Sequence, residues 1–275
     1  MSALRGITVG LVEHAEALTR PSLAHELVAA LRRRGARLRI VVDHEPMRLD
    51  TSPAWDVTLL KSGSQAALHL AAAAEGFGIC SLNGAEATRL ARDRLATTAA
   101  LARAGLPLPP AWLVALNGSR PPAGQLPARQ GEVLLRAASP RRGAELWRTT
   151  WDALPSTLTP SLPSGAYVAT DLLTPERGQL TVFVVGRWVR GIRRPFPART
   201  LDEKRGRPAI VPAEVRQVTR RVGTLLGLRC YGCDFVATAD GWRLLDVDAF
   251  PGYKDAQGAA EAIAAELERL IERLA

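Results

Sequence analysis

Two acid-bearing strands near the C-terminus leave this chain little freedom. Residues 230–238 and 242–249 read as a hairpin turning at Asp240-Gly241. Residues two apart on a strand share a face, so Asp246 and Asp248 point together while Leu245 and Val247 point the other way. Opposed residues of an antiparallel pair also share a face. A loop of odd length would set Asp234 opposite Asp246 and Phe235 opposite Leu245, sorting the apolar side chains to one face and three carboxylates to the other. A two-residue turn would mix them, so the polarity pattern selects the odd loop. Like charges directly opposite one another destabilise a strand pair. A hard divalent cation removes that penalty, and Mg²⁺ typically takes one or two carboxylates plus substrate phosphates. The competing reading is a solvated face on an edge hairpin. Such a face would usually mix signs, whereas this one is wholly acidic in a chain of net charge +9.

The first 82 residues alternate strand and helix. Strands are expected at 6–12, 38–42, 57–60 and 79–82, with helices at 22–34 and 63–75. Ser22 is placed to cap the first helix and Gly35 to end it. This alternation implies a parallel sheet flanked by helices, an α/β arrangement. Asn83 with Glu86 three residues on forms a capping-box pattern for a further helix that runs, with a break, to Gly105. The proline-rich segment 106–110 ends it. Short strands follow at 111–114, 133–136 and 167–173, and residues 117–130 read as a loop. A hairpin at 180–192 turns at Gly186, a helix begins at Pro212 and ends at Gly227, and residues 256–274 form an amphipathic terminal helix. The second half is therefore α+β.

Composition narrows the classes. The 275 residues hold 36 basic side chains, of which only Lys61, Lys204 and Lys254 are lysines. The arginines are spread along the chain with few aromatics among them, so a nucleic-acid stacking platform is not supported. Three cysteines argue against a disulfide framework, and the Cys230-x-x-Cys233 pair lacks the second pair that zinc requires. No run of 18 apolar residues and no signal-peptide pattern occur, so the expectation is a cytoplasmic protein without a membrane partner.

The hairpin also carries a resemblance. Gly232-Cys233-Asp234-Phe235, followed by Leu245-Asp246-Val247-Asp248-Ala249-Phe250-Pro251-Gly252-Tyr253, resembles the C-terminal metal motif of the ATP-grasp superfamily. Asp248 stands where that motif usually has Asn. The Phe-Pro-Gly-Tyr ending looks most like the inositol trisphosphate kinases and glutamate-ligase-like proteins. The resemblance implies Mg²⁺ at Asp234, Asp246 and Asp248, with Gly252 near the acceptor. Asn83-Gly84 through Arg92-Asp93-Arg94-Leu95, then Gly105-Leu106-Pro107-Leu108-Pro109, is similar to the family's entry to its central domain. It implies phosphate contacts at Arg94 and, on the strand Val133-Leu134-Leu135-Arg136, at Arg136, both in place of the family's lysines. The glycine-rich flap is reduced to residues 138–143.

Residues 167–173 resemble the strand over which adenine lies. The backbone of Ala169 and Thr170 would then meet the base edge and Asp171 the ribose hydroxyls. Residues 188–194 resemble the hairpin that ends in a catalytic arginine, here Arg193 or Arg194, while Leu180 and Phe183 stand where acceptor-site charges are frequent. Lys61, at the C-terminal end of the third strand, is a substrate candidate.

The implied architecture is an N-terminal Rossmann-like domain (1–83), a helical connector (84–110), a small ATP-grasp subdomain (111–175) and a C-terminal one (176–275). The implied activity is Mg-ATP-dependent carboxylate–amine ligation through an acyl phosphate. The alternatives are a small-molecule kinase and a degenerate nucleotide-binding module. The acceptor is a small molecule or peptide, and a homodimer stays among the open assemblies.

Overall fold

The computed structural model describes residues 2–14, 19, 22–116, 130–138, 146–154, 165–173, 175, 178–196 and 206–274. Three sheets organise them. The first is parallel, in the order β2-β1-β3-β4, from β1 (Thr8–Glu13), β2 (Arg37–Val42), β3 (Val57–Leu60) and β4 (Ser81–Leu82). The helices α1 (Leu23–Arg33) and α2 (Gln65–Gly76) connect its strands. Leu23, Leu27, Ala30 and Leu31 recur at helical spacing on α1 and are buried. Ser64 caps α2 by accepting from the Ala67 amide at 3.1 Å. Gly10 has no substitute here, since a Cβ would stand 2.7 Å from the Trp55 indole.

The connector holds α3 (Ala85–Arg92) and α4 (Arg94–Arg103). Asp93 makes the anticipated break and caps α4, its Oδ1 accepting from the Ala96 amide at 2.9 Å. Asn83 is not the cap of α3; that position is Gly84, and Glu86 pairs with Arg89 instead. The Asn83 side chain is buried and turned toward a distant strand. Its Nδ2 donates to the Cys230 carbonyl at 2.7 Å, and its Oδ1 accepts from the Arg229 and Cys230 amides at 2.9 Å. A buried backbone end with unmet hydrogen bonds outweighs the modest gain from a cap.

The second sheet is antiparallel, in the order β5-β8-β6-β7, from β5 (Ala111–Leu116), β6 (Glu132–Ala137), β7 (Leu146–Thr150) and β8 (Gly165–Asp171). The third, also antiparallel, runs β11-β10-β9-β12-β13, from β9 (Gln179–Val185), β10 (Trp188–Arg194), β11 (Arg207–Ala209), β12 (Cys230–Thr238) and β13 (Gly241–Ala249). The edge strands β7 and β11 are absent from the sequence reading because neither has a clear alternation of its own. The loop expected at 117–130 and the flap residues 139–143 lie outside the described residues, Gln130 excepted.

One face of the third sheet carries Leu180, Val182, Cys233, Phe235 and Val247, covered by α5 (Ala213–Leu226) through Val215, Val222 and Leu226. On the other face Phe183, Val185, Ile192 and Cys230 pack with α6 (Ala259–Glu272), which in turn meets α1 and the first sheet. Among the described residues no helix is long and apolar enough to cross a membrane. Replacing Asn83 with Ala takes the side-chain acceptor from the Arg229 and Cys230 amides, while the Cys230 carbonyl keeps the Phe250 amide at 2.8 Å. The expected cost is about 3 kcal/mol, read as a lowered urea midpoint with unchanged slope.

Candidate active site

The register of β12 decides the site. Asp234 opposes Asp246 on one side and Thr181 of β9 on the other, and Gly232 opposes Asp248. The route to this pairing corrects the odd-loop expectation. The turn is two residues, with Thr238 paired to Gly241 and Phe235 opposite Leu244. A bulge between Asp234 and Phe235 then takes up Leu245 as the extra residue and restores the acidic pairing. The apolar face is kept because Phe235, Leu244 and Val247 are all buried together.

The carboxylates floor a cleft of ≈ 460 Å³, whose lining includes Arg92, Arg94, Thr181, Arg194, Gly252 and Lys254. The Thr181 hydroxyl donates to Asp234 Oδ1 at 2.7 Å. Arg94, at the start of α4, reaches Asp246 Oδ2 at 3.3 Å and also donates to the Ala137 carbonyl. Arg136, on β6, lies 3.5 Å from the same oxygen and donates to the Leu245 carbonyl at 3.0 Å. The second sheet is thus tied to the third through one carboxylate. Arg194 donates to the Lys254 carbonyl at 3.2 Å and lies 3.7 Å from Asp255. Arg94, Arg136 and Arg194 each keep a buried Nε without a hydrogen-bond partner. Buried donors without partners are costly.

Electrostatics point the same way. Burial pushes the Asp234 carboxyl above its ordinary range; the Thr181 hydroxyl pulls it back and the Asp246 charge raises it again. Asp248 is pushed up to about 6, first by removal from water and then by the charges of Asp246 and Asp234, against Arg92 and Lys61. Its side chain opens into the cleft. Water therefore tempers the desolvation share, and the repulsion between carboxylates is the part that persists. Burial also works against the Arg136 charge, which Asp246 supports and Arg94 opposes. Among the described residues no group of three or more His, Cys, Asp or Glu side chains is disposed by itself to hold a metal. The donor set fits a cation shared with ligand phosphates, as Mg²⁺ prefers, rather than one caged by protein alone.

The fold separates Arg193 from Arg194. Alternation along β10 puts Arg194 on the carboxylate face, whereas Arg193 opposes Leu180 and stacks over Trp242 on the other. Leu180 likewise belongs to the core beneath the sheet, so Thr181 and Phe183 are the β9 residues in the cleft. Ala169 and Thr170 are not at a free edge. Their strand lies between β5 and β6, with Ala169 opposite Trp112 and Leu135 and Thr170 opposite Ala111 and Leu134, which leaves no ladder-free backbone for a base. The Asp171 carboxylate accepts from Trp151 Nε1 at 2.8 Å. Lys61 stands beside the cleft, 3.6 Å from Glu13 and over the Phe250 ring. Gly252 lies in the cleft wall with open space where a Cβ would be. It belongs to a strained segment in which Phe250, Tyr253 and Asp255 have φ of 53°, 49° and 66°. The Tyr253 hydroxyl anchors that segment by donating to the Val184 carbonyl at 2.9 Å.

Thr181, Arg92 and Lys254 line the cleft and escaped the sequence reading. Thr181 carried a usable signal, a polar residue within an apolar strand. Arg92 carried none, since its place depends on the room that Gly63 leaves for its guanidinium.

This architecture is the ATP-grasp fold. The chain is similar to the RimK domain ATP-grasp protein of Sphaerobacter thermophilus, at 19% identity, 94% of this chain and 98% of that one, with a TM-score of 0.75. D-alanine–D-alanine ligase from Bacillus anthracis, solved with ATP, matches at 14% identity over 98% of each chain, TM-score 0.75. The ATP-grasp ligase PsnB, solved with a minimal precursor, Mg and ADP, matches at 16% identity over 96% of this chain and 98% of that one, TM-score 0.67. Neither the protein-family models nor the curated proteins yield a match to the chain.

Asp248 has a pKa near 6 when folded against an ordinary 3.8. The folded state therefore holds the extra proton between these values, and this group's contribution to stability is present below pH 3.8 and lost as pH rises through 6. Asp248→Asn is expected to unfold at a higher temperature than the parent above pH 6 without metal, with the difference vanishing near pH 4. Parallel melting curves across that range check it.

Proposed function

We propose that this chain is a Mg-ATP-dependent carboxylate–amine ligase. The observation that carries the reading is the meeting of Arg94 and Arg194 in one cleft above an acidic sheet face, with Arg136 reaching the same Asp246 carboxylate from β6. Cations aimed at a phosphate chain together with carboxylates suited to its counterion are what phosphoryl transfer requires. The neighbours in fold support it: two are ligases solved with ATP or with Mg and ADP.

In this reading Asp234, Asp246 and Asp248 would supply carboxylate oxygens to a Mg²⁺ whose other ligands come from the nucleotide, and the ion would offset negative charge on the phosphates. Arg94 and Arg136 release Asp246 and turn to the phosphate oxygens. Their Lys-to-Arg change keeps the charge and adds a planar fork suited to paired oxygens. Arg194 stabilises the transferring phosphoryl group. An acceptor carboxylate oxygen attacks the γ-phosphorus, the bond to ADP breaks, and an acyl phosphate forms. An amine then adds to the carbonyl and phosphate leaves, with the amine proton passing to solvent or base, to give an amide. Gly252 and Lys61 flank the space left for the acceptor, whose class is a small molecule or a peptide.

Calorimetric titration with a non-hydrolysable ATP analogue should show binding that requires Mg²⁺, and Asp246→Asn should abolish that requirement or the binding itself. Retained full turnover by this variant would sink the metal assignment. Arg194→Ala should lower the rate of hydroxamate formation from ATP, a carboxylate and hydroxylamine about 100- to 1,000-fold with nucleotide affinity nearly kept. Arg193→Ala should stay within about threefold of the parent, because its side chain is on the wrong face for chemistry worth that much. Stable transfer of labelled phosphate to a hydroxyl compound would replace the ligase by a kinase.

A further inference from the structure

On the far side of the third sheet a second concavity, of ≈ 880 Å³, opens between α5, α6 and the β9–β10 turn. Its charge is one-sided. Arg229, Arg269 and Arg273 gather on the buried Glu266, at 2.7, 2.9 and 3.6 Å. Arg187, Arg216 and Arg220 line the same space, and their side chains form no ion pair among the described residues. Six guanidinium groups against one carboxylate leave a formal +5. The carboxylate cleft sets Arg92, Arg94, Arg194 and Lys254, with Arg136 behind them, against Asp234, Asp246 and Asp248 and is left with +2.

An arginine-rich chain of net charge +9 carries solvated arginines everywhere, but spreading them apart costs least. Here they converge. Arg216 and Arg220 are four apart on one helix face, a spacing at which like charges repel. Arg187 joins them from the turn. The floor has little recognition of its own: Val184 and Leu228 are apolar, and the Tyr231 hydroxyl is spent on the Thr219 carbonyl at 2.9 Å. Recognition must come from the guanidinium forks, which match phosphate oxygens in pairs. Tyr231 is 3% exposed and cannot stack a base, so the site lacks the platform that a single-stranded nucleic acid uses. The volume lies within the range of small-molecule sites.

We propose that this concavity is a binding site, separate from the carboxylate cleft, for a compact oligophosphate carrying three or more negative charges. Glu266 pre-positions Arg229, Arg269 and Arg273, and the unpaired Arg187, Arg216 and Arg220 complete the clamp.

The probe is inorganic tripolyphosphate, titrated calorimetrically into the full chain without divalent metal. The parent is expected to bind it, and Arg216→Gln/Arg220→Gln to bind at least tenfold more weakly at an unchanged urea midpoint. Both side chains are exposed, so the fold should tolerate the change. Arg194→Gln, in the other cleft, should keep the parent's affinity. Equal binding by the Arg216/Arg220 variant and the parent, or loss only in Arg194→Gln, would overturn the proposal. So would tighter, Arg216/Arg220-dependent binding of a single-stranded oligonucleotide, which would make the site a nucleic-acid surface. None of these readouts depends on ATP turnover, so the ligase reading stands or falls separately.

Discussion

Asp246 is the point on which the described architecture turns. It sits on β13 opposite Asp234, and its Oδ2 is approached by Arg94 from α4 and Arg136 from β6. A lone carboxylate facing another on one strand pair would be a liability. Two guanidinium groups from elements far away in sequence convert that liability into a junction between the helical connector, the second sheet and the third. Its distances of 3.3 and 3.5 Å are long for charge-assisted bonds.

A second junction fixes the first sheet. Asn83 ends β4 and closes the start of β12 with three hydrogen bonds, while Glu261 on α6 takes both Arg33 and Arg34 at the end of α1. These bonds set the C-terminal ends of β1 and β3 beside the strained segment that follows β13, where Lys61 meets Phe250. The cleft therefore has walls from separate layers and a floor from one hairpin.

The two faces of the third sheet have different electrostatic characters. The carboxylate face sets five basic side chains, Arg136 included, against three carboxylates. The opposite side, near the β9–β10 turn, sets six guanidinium groups against the one carboxylate of Glu266. Both draw on the same strands, β9 and β12, through alternate residues: Thr181 and Asp234 toward one, Val184 and Tyr231 toward the other.

Much was legible in the sequence because it depends on short-range periodicity. The alternation of strand and helix over the first 82 residues, the two C-terminal hairpins, a broken helix ending at Gly105 and the sorting of carboxylates from apolar residues on β12 and β13 are properties of neighbours, and they were readable as such. Tertiary structure decided whatever depends on which side of an element meets what. It chose Arg194 over Arg193, because the strand period assigns them opposite faces and only the packed sheet says which face is the cleft. It replaced the odd loop with a two-residue turn and a bulge, because the hairpin optimises its turn and its acidic register at once. It closed the Ala169 and Thr170 backbone inside a ladder, since a strand does not reveal whether it is an edge. It sent Asn83 to β12 and brought Arg92 into the cleft, as a buried polar group bonds to whatever the fold places beside it, at any distance along the chain.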